Sequence, residues 1–216
     1  MAQWELSRAE RAALLDFTQR LVNTPSPSGQ EGAVAALIME EMRALDYDEV
    51  WMDEAGNVLG RVGIPDGPSL MLNSHMDTVE VAEPHAWSVD PMSATLIDAR
   101  LYGLGTCDMK GGLAATVHGA GLLAKREDLK GSLVVACVGL EEPSEGTCTR
   151  VLFEEDGLHP DWVLIAEPSN LQVVRAQRGH LEMTLTVHGR SAHSSSPELG
   201  ENAIYAAARL VFGLEI

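Results

Sequence analysis

The sequence predicts an α/β fold in which helices cover a sheet of short apolar strands. Three apolar runs, residues 70–72, 133–139 and 162–166, lack the alternation of a half-exposed strand and are typical of buried strands. Helical patterns lie before and between these runs. Strands that alternate with helices in this way indicate a sheet with both faces covered.

The first half of the predicted domain begins with two helices. Ser7 followed by Glu10 forms a capping box, which predicts a helix extending to about Val22. A Pro- and Ser-rich loop at 23–29 separates this helix from a second one that ends at Leu45. The further predicted elements are strands at 50–52, 58–62 and 181–187, and helices from Gly112 to about Lys125 and at 202–212.

Composition excludes several classes of function. The chain has 216 residues, of which 45% are hydrophobic and 22% charged, as in a globular protein of one or two domains. The net charge of −17 argues against binding to nucleic acid or to anionic membranes, which both require clustered basic residues. No segment is long and apolar enough for a membrane span.

Three cysteines, Cys107, Cys137 and Cys148, are odd in number and widely spaced, so they indicate neither a disulfide framework nor a CxxC zinc site. Reduced thiols are typical of cytoplasmic proteins, with Cys137 predicted in the core. The first residues include acidic side chains and no long apolar run, which is unlike a signal peptide. We therefore expect a cytoplasmic protein.

Candidate ligands for a metal follow the predicted strands. His75 and Asp77 end the first apolar run and, at i and i+2, point to one face of an extended chain. An imidazole binds metal through one nitrogen while a carboxylate can accept from the other. Glu141 and Glu142 end the second run, and Glu167 ends the third. Open α/β sheets bind ligands at the carboxyl ends of their strands.

A further carboxylate, Asp108, lies in the turn LYGLGTCDMKGG at 101–112, where glycines flank it on both sides. Taken alone, this is an exposed Asp in a surface turn; together with the strand-end residues it indicates a metal site. Mixed imidazole and carboxylate ligands fit zinc, with cobalt or manganese as substitutes. A carboxylate such as Asp108 can bridge two metals about 3.5–4 Å apart, and a nearby Glu can then accept the proton of the attacking water.

Five segments carry a resemblance to a known family. The segments are SHMDTV (74–79), GLGTCDMKGG (103–112), LEEPSEGT (140–147), AEPSN (166–170) and GRSAHSSSPELGENAI (189–204). They resemble the metallopeptidases that include acetylornithine deacetylase, succinyl-diaminopimelate desuccinylase, aminoacylase and glutamate carboxypeptidase. The resemblance implies a zinc-peptidase-like mixed sheet with helices on both faces at 1–175, followed by the start of a ferredoxin-like lid and dimerisation domain at 176–216.

The resemblance also implies metal ligands. His75, Asp108 and Glu167 would hold one metal. Asp108 would bridge to a second metal held also by Glu142. A complete active site would thus hold two zinc ions.

Catalytic roles are implied in the same way. Glu141 takes the position of the general base, and Asp77 that of the carboxylate that supports the metal-binding histidine. His193 corresponds to the lid histidine that reaches a neighbouring subunit's active site and stabilises the oxyanion. The family also tends to have a cis peptide bond after the bridging Asp, here between Asp108 and Met109.

The function implied is hydrolysis of an amide bond in an N-acyl amino acid or small peptide, by a homodimer when the protein is complete. Family members are longer than 216 residues, and a last metal-binding His and a substrate-carboxylate Arg are expected beyond this sequence. The chain by itself is therefore expected to be inactive. The alternative is a non-catalytic or truncated metal-binding or interaction module with the same fold.

Dinucleotide binding is the remaining alternative, suggested by Gly103 and Gly105. The third glycine of a GxGxxG motif would fall at position 108, which is Asp. A carboxylate there would repel a pyrophosphate, so the sequence argues against this function.

Overall fold

The computed structural model describes residues 5–126, 128–144 and 146–214. Residues 1–4, the beginning of the segment that is unlike a signal peptide, lie outside the described part. The chain divides into two compact units, Met1–Gln172 and Val173–Ile216. Within the described ranges, no helix has the length and apolar character needed to cross a membrane.

A five-stranded mixed sheet forms the centre of the first unit, with a two-stranded hairpin beside it. The seven strands of the described residues are β1 Glu49–Met52, β2 Val58–Gly63, β3 Ser69–His75, β4 Thr95–Ile97, β5 Arg100–Tyr102, β6 Ser132–Val138 and β7 Trp162–Ile165. In the large sheet the strand order is β1-β2-β6-β3-β7; β1, β2 and β6 pair antiparallel, whereas β6, β3 and β7 pair parallel.

The first helix begins directly after Ser7, as the sequence predicts. The predicted capping box is present: the Glu10 N–H donates to the Ser7 hydroxyl and the Ser7 N–H donates to the Glu10 carboxylate. The helices are α1 Arg8–Asn23, α2 Gly32–Ala44, α3 Gly111–Ala124, α4 Glu141–Ser144, α5 Thr147–Glu154 and α6 Ala203–Gly213. Short 3₁₀ turns occupy Pro84–Ala86 and Pro197–Leu199.

Two apolar clusters cover the two faces of the sheet. Side chains of α1, α2 and α3 pack with Val58, Val135 and Cys137 on one face. On the other face, Leu152 of α5 packs with strand residues that include Met71. The prediction of a mixed sheet with helices on both faces is confirmed, as is the core position of Cys137. All three cysteines are unpaired.

Two strand predictions from the sequence were wrong in part. The run at 162–166 does form β7, but all four of its residues are exposed because it lies at the edge of the sheet and, among the described residues, pairs with β3 alone. The alternating stretch 181–187 forms no strand in the described part of the chain. A strand requires a neighbouring backbone for its hydrogen bonds, and alternation alone does not provide one.

In the second unit, Val173–Ile216, segments without regular secondary structure and the 3₁₀ turn Pro197–Leu199 precede α6. Asn202 caps α6, since its side-chain oxygen accepts from the Ile204 N–H. A single antiparallel bridge joins Arg190 to Glu201, and their side chains form an ion pair at 3.3 Å.

Candidate metal centre

The parallel strands bring their carboxyl ends to one edge of the sheet. His75, the last residue of β3, lies opposite Val138, the last residue of β6. On the other side, the Ala166 N–H donates to the Asn73 carbonyl at 2.9 Å, so Glu167 follows β7 at the same edge. The topology therefore brings together residues that are far apart in the sequence, as expected for a parallel sheet.

Three predicted ligands converge at this edge. His75 Nε2 lies 3.0 Å from Asp108 Oδ1 and 3.9 Å from Glu167 Oε1. One ligand atom from each residue lies within 4.8 Å of the other two. The imidazole is buried, whereas the side chains of Asp108 and Glu167 are 58% and 42% exposed, so the cluster opens towards solvent. Among the described residues Glu142 is not part of this cluster.

The orientation of the imidazole suits a metal ligand. His75 Nδ1 lies 3.0 Å from the Asp77 backbone carbonyl and 3.4 Å from the Asp77 carboxylate oxygen Oδ1. A proton on Nδ1 donated to this carbonyl leaves the lone pair of Nε2 directed at Asp108 and Glu167. The nearer acceptor is thus the main chain of Asp77, and its carboxylate is the more distant one.

The Asp77 carboxylate has further partners that the sequence did not predict. It is fully buried and accepts from the Ser28 hydroxyl at 2.6 Å. It also accepts from the backbone N–H groups of Glu141 at 3.2 Å and Glu142 at 3.3 Å, at the beginning of α4. Burial raises the pKa of Asp77, but hydrogen bonds from His75, Ser28 and these N–H groups outweigh it and lower the pKa. One buried carboxylate therefore connects the His75 strand end to the Glu141–Glu142 pair.

The electrostatics of the cluster favour a bound cation. Burial would lower the pKa of His75, but the surrounding carboxylates outweigh it and raise the pKa to about 10. Burial, together with mutual repulsion, raises the pKa of Glu141, Glu142 and Glu167, although His75 opposes this shift. A divalent cation would relieve this repulsion, and one imidazole with several carboxylates is a donor set that zinc, manganese or cobalt accepts.

The loop that carries Asp108 has an irregular backbone. A π-type turn spans Thr106–Lys110, within which Asp108 has non-helical dihedral angles of φ −120° and ψ 101°. The cis peptide bond expected between Asp108 and Met109 is present. Gly105, with φ 77°, begins the turn in the left-handed region, where a side chain is unfavourable. From this turn the Asp108 carboxylate reaches His75 Nε2.

Lys110 attaches this loop to the end of α1. Its side chain is 1% exposed, and its ammonium group donates to the backbone carbonyls of Leu21 at 2.9 Å and Thr24 at 2.8 Å. These carbonyls belong to the C-terminal end of α1, where a cation also interacts favourably with the helix dipole. Burial lowers the pKa of Lys110 to about 8, and the two carbonyl acceptors favour the protonated form. Lys110 thereby connects the loop that carries Asp108 to the end of α1.

Replacing Lys110 by Met should lower the free energy of unfolding by roughly 2–3 kcal/mol, because two buried carbonyls lose a charged donor. Urea denaturation followed by circular dichroism measures this change. Lys130→Met is the matched control, since Lys130 is exposed, and should leave stability within about 0.5 kcal/mol of wild type. Equal stability of the Lys110→Met variant and the control would contradict the anchoring role.

A cavity of about 440 Å³ adjoins the cluster. Asp108 and Glu142 both line it, and the aromatic side chains of Trp87 and Tyr102 contribute apolar walls. Glu142 thus lines the same cavity as Asp108, although it lies outside the three-residue cluster. The cavity gives a small molecule a route to the carboxylates.

His193 belongs to the second unit. Its Nδ1 lies 3.2 Å from the Ser195 N–H and 2.8 Å from the Ser195 hydroxyl. A backbone N–H can only donate, so Nδ1 is the acceptor and the proton of the neutral ring lies on Nε2. Nε2 is therefore available as a donor. A cavity of about 520 Å³ in this unit is lined by His193, Arg190 and Asn202, among others.

Comparison with known proteins identifies the family of this chain. The model of "Peptidase family M20/M25/M40" matches residues 71–216, which include all the candidate ligands. The chain belongs to this peptidase family. The family resemblance noted from five sequence segments is thereby confirmed.

Curated relatives include two that are named as enzymes and one that is named as uncharacterized. YgeY of Escherichia coli strain K12, named as uncharacterized, is 36% identical over 93% of this M20 chain and 50% of its own length. A succinyl-diaminopimelate desuccinylase of Corynebacterium glutamicum is 33% identical over 90% of this chain and 52% of its own. An acetylornithine deacetylase of Vibrio vulnificus is 35% identical over 94% of this chain and 55% of its own length. The chain spans about half the length of these relatives.

Solved structures of M20 peptidases share the fold. A metallo-carboxypeptidase of Sulfolobus solfataricus matches with a TM-score of 0.62 and 22% identity, over 74% of this chain and 37% of its own. The YXEP protein of Bacillus subtilis, described as a dinuclear metal-binding peptidase, matches with a TM-score of 0.52 and 21% identity, over 68% and 40%. At this identity the likeness concerns the fold of the catalytic domain.

Proposed function

We propose that this chain supplies the catalytic metal-binding part, residues 1–175, of a dinuclear zinc-dependent hydrolase. The bond cleaved is the amide of an N-acyl amino acid or small peptide. The observation that carries this proposal is the convergence of His75, Asp108 and Glu167, with ligand atoms within 4.8 Å of one another, beside the Glu141–Glu142 pair.

In this proposal the ligands divide between two metals. His75 Nε2, Asp108 and Glu167 would hold the first, and Asp108 and Glu142 would hold the second. The buried Nδ1 contact of His75 with Asp77 supports this assignment because it fixes the ring with Nε2 facing the carboxylates. Zinc is the ion proposed, and cobalt or manganese would accept the same donors.

Glu141 is the proposed general base. Its raised pKa and its position beside the acidic cluster suit a group that takes a proton from water and returns it to the leaving amine. The bound metals would polarise the amide carbonyl and increase the acidity of the attacking water. The buried Asp77 carboxylate accepts from the Glu141 N–H and so restrains the backbone that carries this side chain.

His193 is proposed to donate from Nε2 to the oxyanion that forms on the substrate carbonyl. Its Nδ1 is already an acceptor for Ser195, which supports this donor role. We propose that residues 176–216 begin a lid and dimerisation domain, and that His193 serves the active site of the partner subunit in a homodimer. The unpaired cysteines support a reducing, cytoplasmic location.

The relatives support the class of substrate. Two of them are named for removing a succinyl or an acetyl group, and the Bacillus subtilis structure is described as dinuclear. The alternative function is that of a module without catalytic activity. In that case the same cluster binds metal in a non-catalytic interaction module.

The proposal is tested with the longest natural form of the protein. After removal of metal with a chelator and readdition of zinc, amine release is measured from N-acetyl and N-succinyl amino acids and from dipeptides. We expect zinc-dependent release from at least one class and two zinc ions per chain. Retention of zinc without release from any substrate would favour the interaction module, and a chain that retains no zinc would contradict both functions.

A further inference from the structure

A Pro- and Ser-rich loop between α1 and α2, residues 24–31, packs against the metal centre. The Thr78 N–H donates to the Ser26 carbonyl at 2.9 Å, and the Ser26 hydroxyl donates to the Met76 carbonyl at 2.8 Å. Both contacts join this 24–31 loop to the segment that follows His75. The Ser28 hydroxyl adds its hydrogen bond to the Asp77 carboxylate. The loop is therefore fixed to one side of the site.

The end of the 24–31 loop reaches the other side of the site through Glu31. Its carboxylate oxygen Oε1 accepts from the Gly29 N–H at 2.8 Å and from the Leu140 N–H at 3.0 Å. Glu31 also precedes α2, but its side chain makes no capping hydrogen bond to that helix. The carboxylate is therefore used to hold the loop and the end of β6 together, and not to begin the helix.

The backbone of Leu140 has an unfavourable conformation, which the hydrogen bond to Glu31 helps to hold. It has φ 53°, in the left-handed region that residues other than glycine rarely adopt, and it directly precedes Glu141. Ser144 donates its hydroxyl to the Leu140 carbonyl at 2.6 Å, so both polar groups of this peptide segment are held. A conformation of this kind persists only where its surroundings determine it, and the charged acceptor Glu31 is part of those surroundings.

We propose that Glu31 is a positioning residue for the Glu141–Glu142 pair. By accepting the Leu140 N–H, its carboxylate holds Leu140 in the left-handed conformation that turns the chain from β6 into α4. Asp77 holds the next two N–H groups, so Glu31 and Asp77 together fix three successive backbone donors. The effect of Glu31 on turnover rests on the proposed function, whereas its effect on the Leu140 backbone does not.

Hydrogen exchange at the Leu140 amide tests the backbone part in the 216-residue chain. We expect protection in wild type, and exchange about 10–100-fold faster in Glu31→Ala, because a hydrogen bond to a charged acceptor is lost. Glu31→Gln should retain most of the protection, since its amide oxygen can still accept. Glu40→Ala is the matched control, because Glu40 is exposed on α2, the helix that Glu31 precedes. In this variant the Leu140 amide should exchange as in wild type.

An unprotected Leu140 amide in wild type would overturn the proposal, as would equal protection in wild type and Glu31→Ala. If Glu31→Ala does not fold, wild type and Glu31→Gln decide, since both must protect Leu140. In the complete enzyme, Glu31→Ala should lower kcat at least about tenfold with little change in KM, and Glu31→Gln should restore it. Absence of turnover in wild type would contradict the proposed function and leave the exchange result to decide the role of Glu31.

Discussion

Replacing Glu141 by Gln is expected to lower kcat of the complete enzyme by about 10²–10⁴-fold, the usual contribution of a general base. The amide of Gln cannot take the proton of the attacking water, but it preserves the size of the side chain. Because Glu141 is not among the three residues of the metal cluster, the variant should retain its zinc. Its backbone N–H, which donates to Asp77, is also unchanged.

Turnover of N-acyl substrates and metal content by mass spectrometry are measured on the same preparation of this variant. Glu40→Gln is the matched control, because Glu40 is exposed on α2 and should leave both quantities as in wild type. Loss of zinc from Glu141→Gln would show that Glu141 is a ligand and not the base. Undiminished turnover would also contradict the assignment.

Much of the fold around this site could be predicted from local sequence patterns. The apolar runs before His75, Glu141 and Glu167 identified the strands, and the order of strands and helices indicated covered faces. The hairpin of β4 and β5 was not predicted. Its turn contains Asp98 and Ala99, both with positive φ, and lacks the Asn-Gly or Asp-Gly pair that signals such a turn.

Apart from Asp77, the residues that support the ligands could not be predicted from the sequence. Ser28 contacts a carboxylate 49 positions away, and Glu31 contacts an N–H 109 positions away. Hydrophobic periodicity contains no information about such pairs, because they depend on which strands become neighbours. Lys110 was visible in the turn, but its partners are backbone carbonyls of α1, which have no sequence signature.

Replacing Asp108 by Ala should weaken zinc binding more than any other single change in this unit. The carboxylate oxygen Oδ1 lies 3.0 Å from His75 Nε2, and in the proposed site it is shared by both metals. Loss of a group that only supports a ligand typically costs 10–100-fold in metal affinity, so loss of a shared ligand should exceed about 100-fold. Asp108 is 58% exposed, and the fold should therefore tolerate its truncation.

Zinc affinity of the Asp108→Ala variant is measured by competition with a chromophoric chelator, and its thermal unfolding is followed with and without zinc. Wild type should gain stability on adding zinc, by about 2.7 kcal/mol at a free concentration 100 times Kd, because only the folded state holds the ligands together. Asp108→Ala should gain little at that concentration, whereas Asp66→Ala, in an exposed turn, should behave as wild type. Equal zinc affinity in the Asp108→Ala and Asp66→Ala variants would show that the cluster at the strand ends is not the metal site.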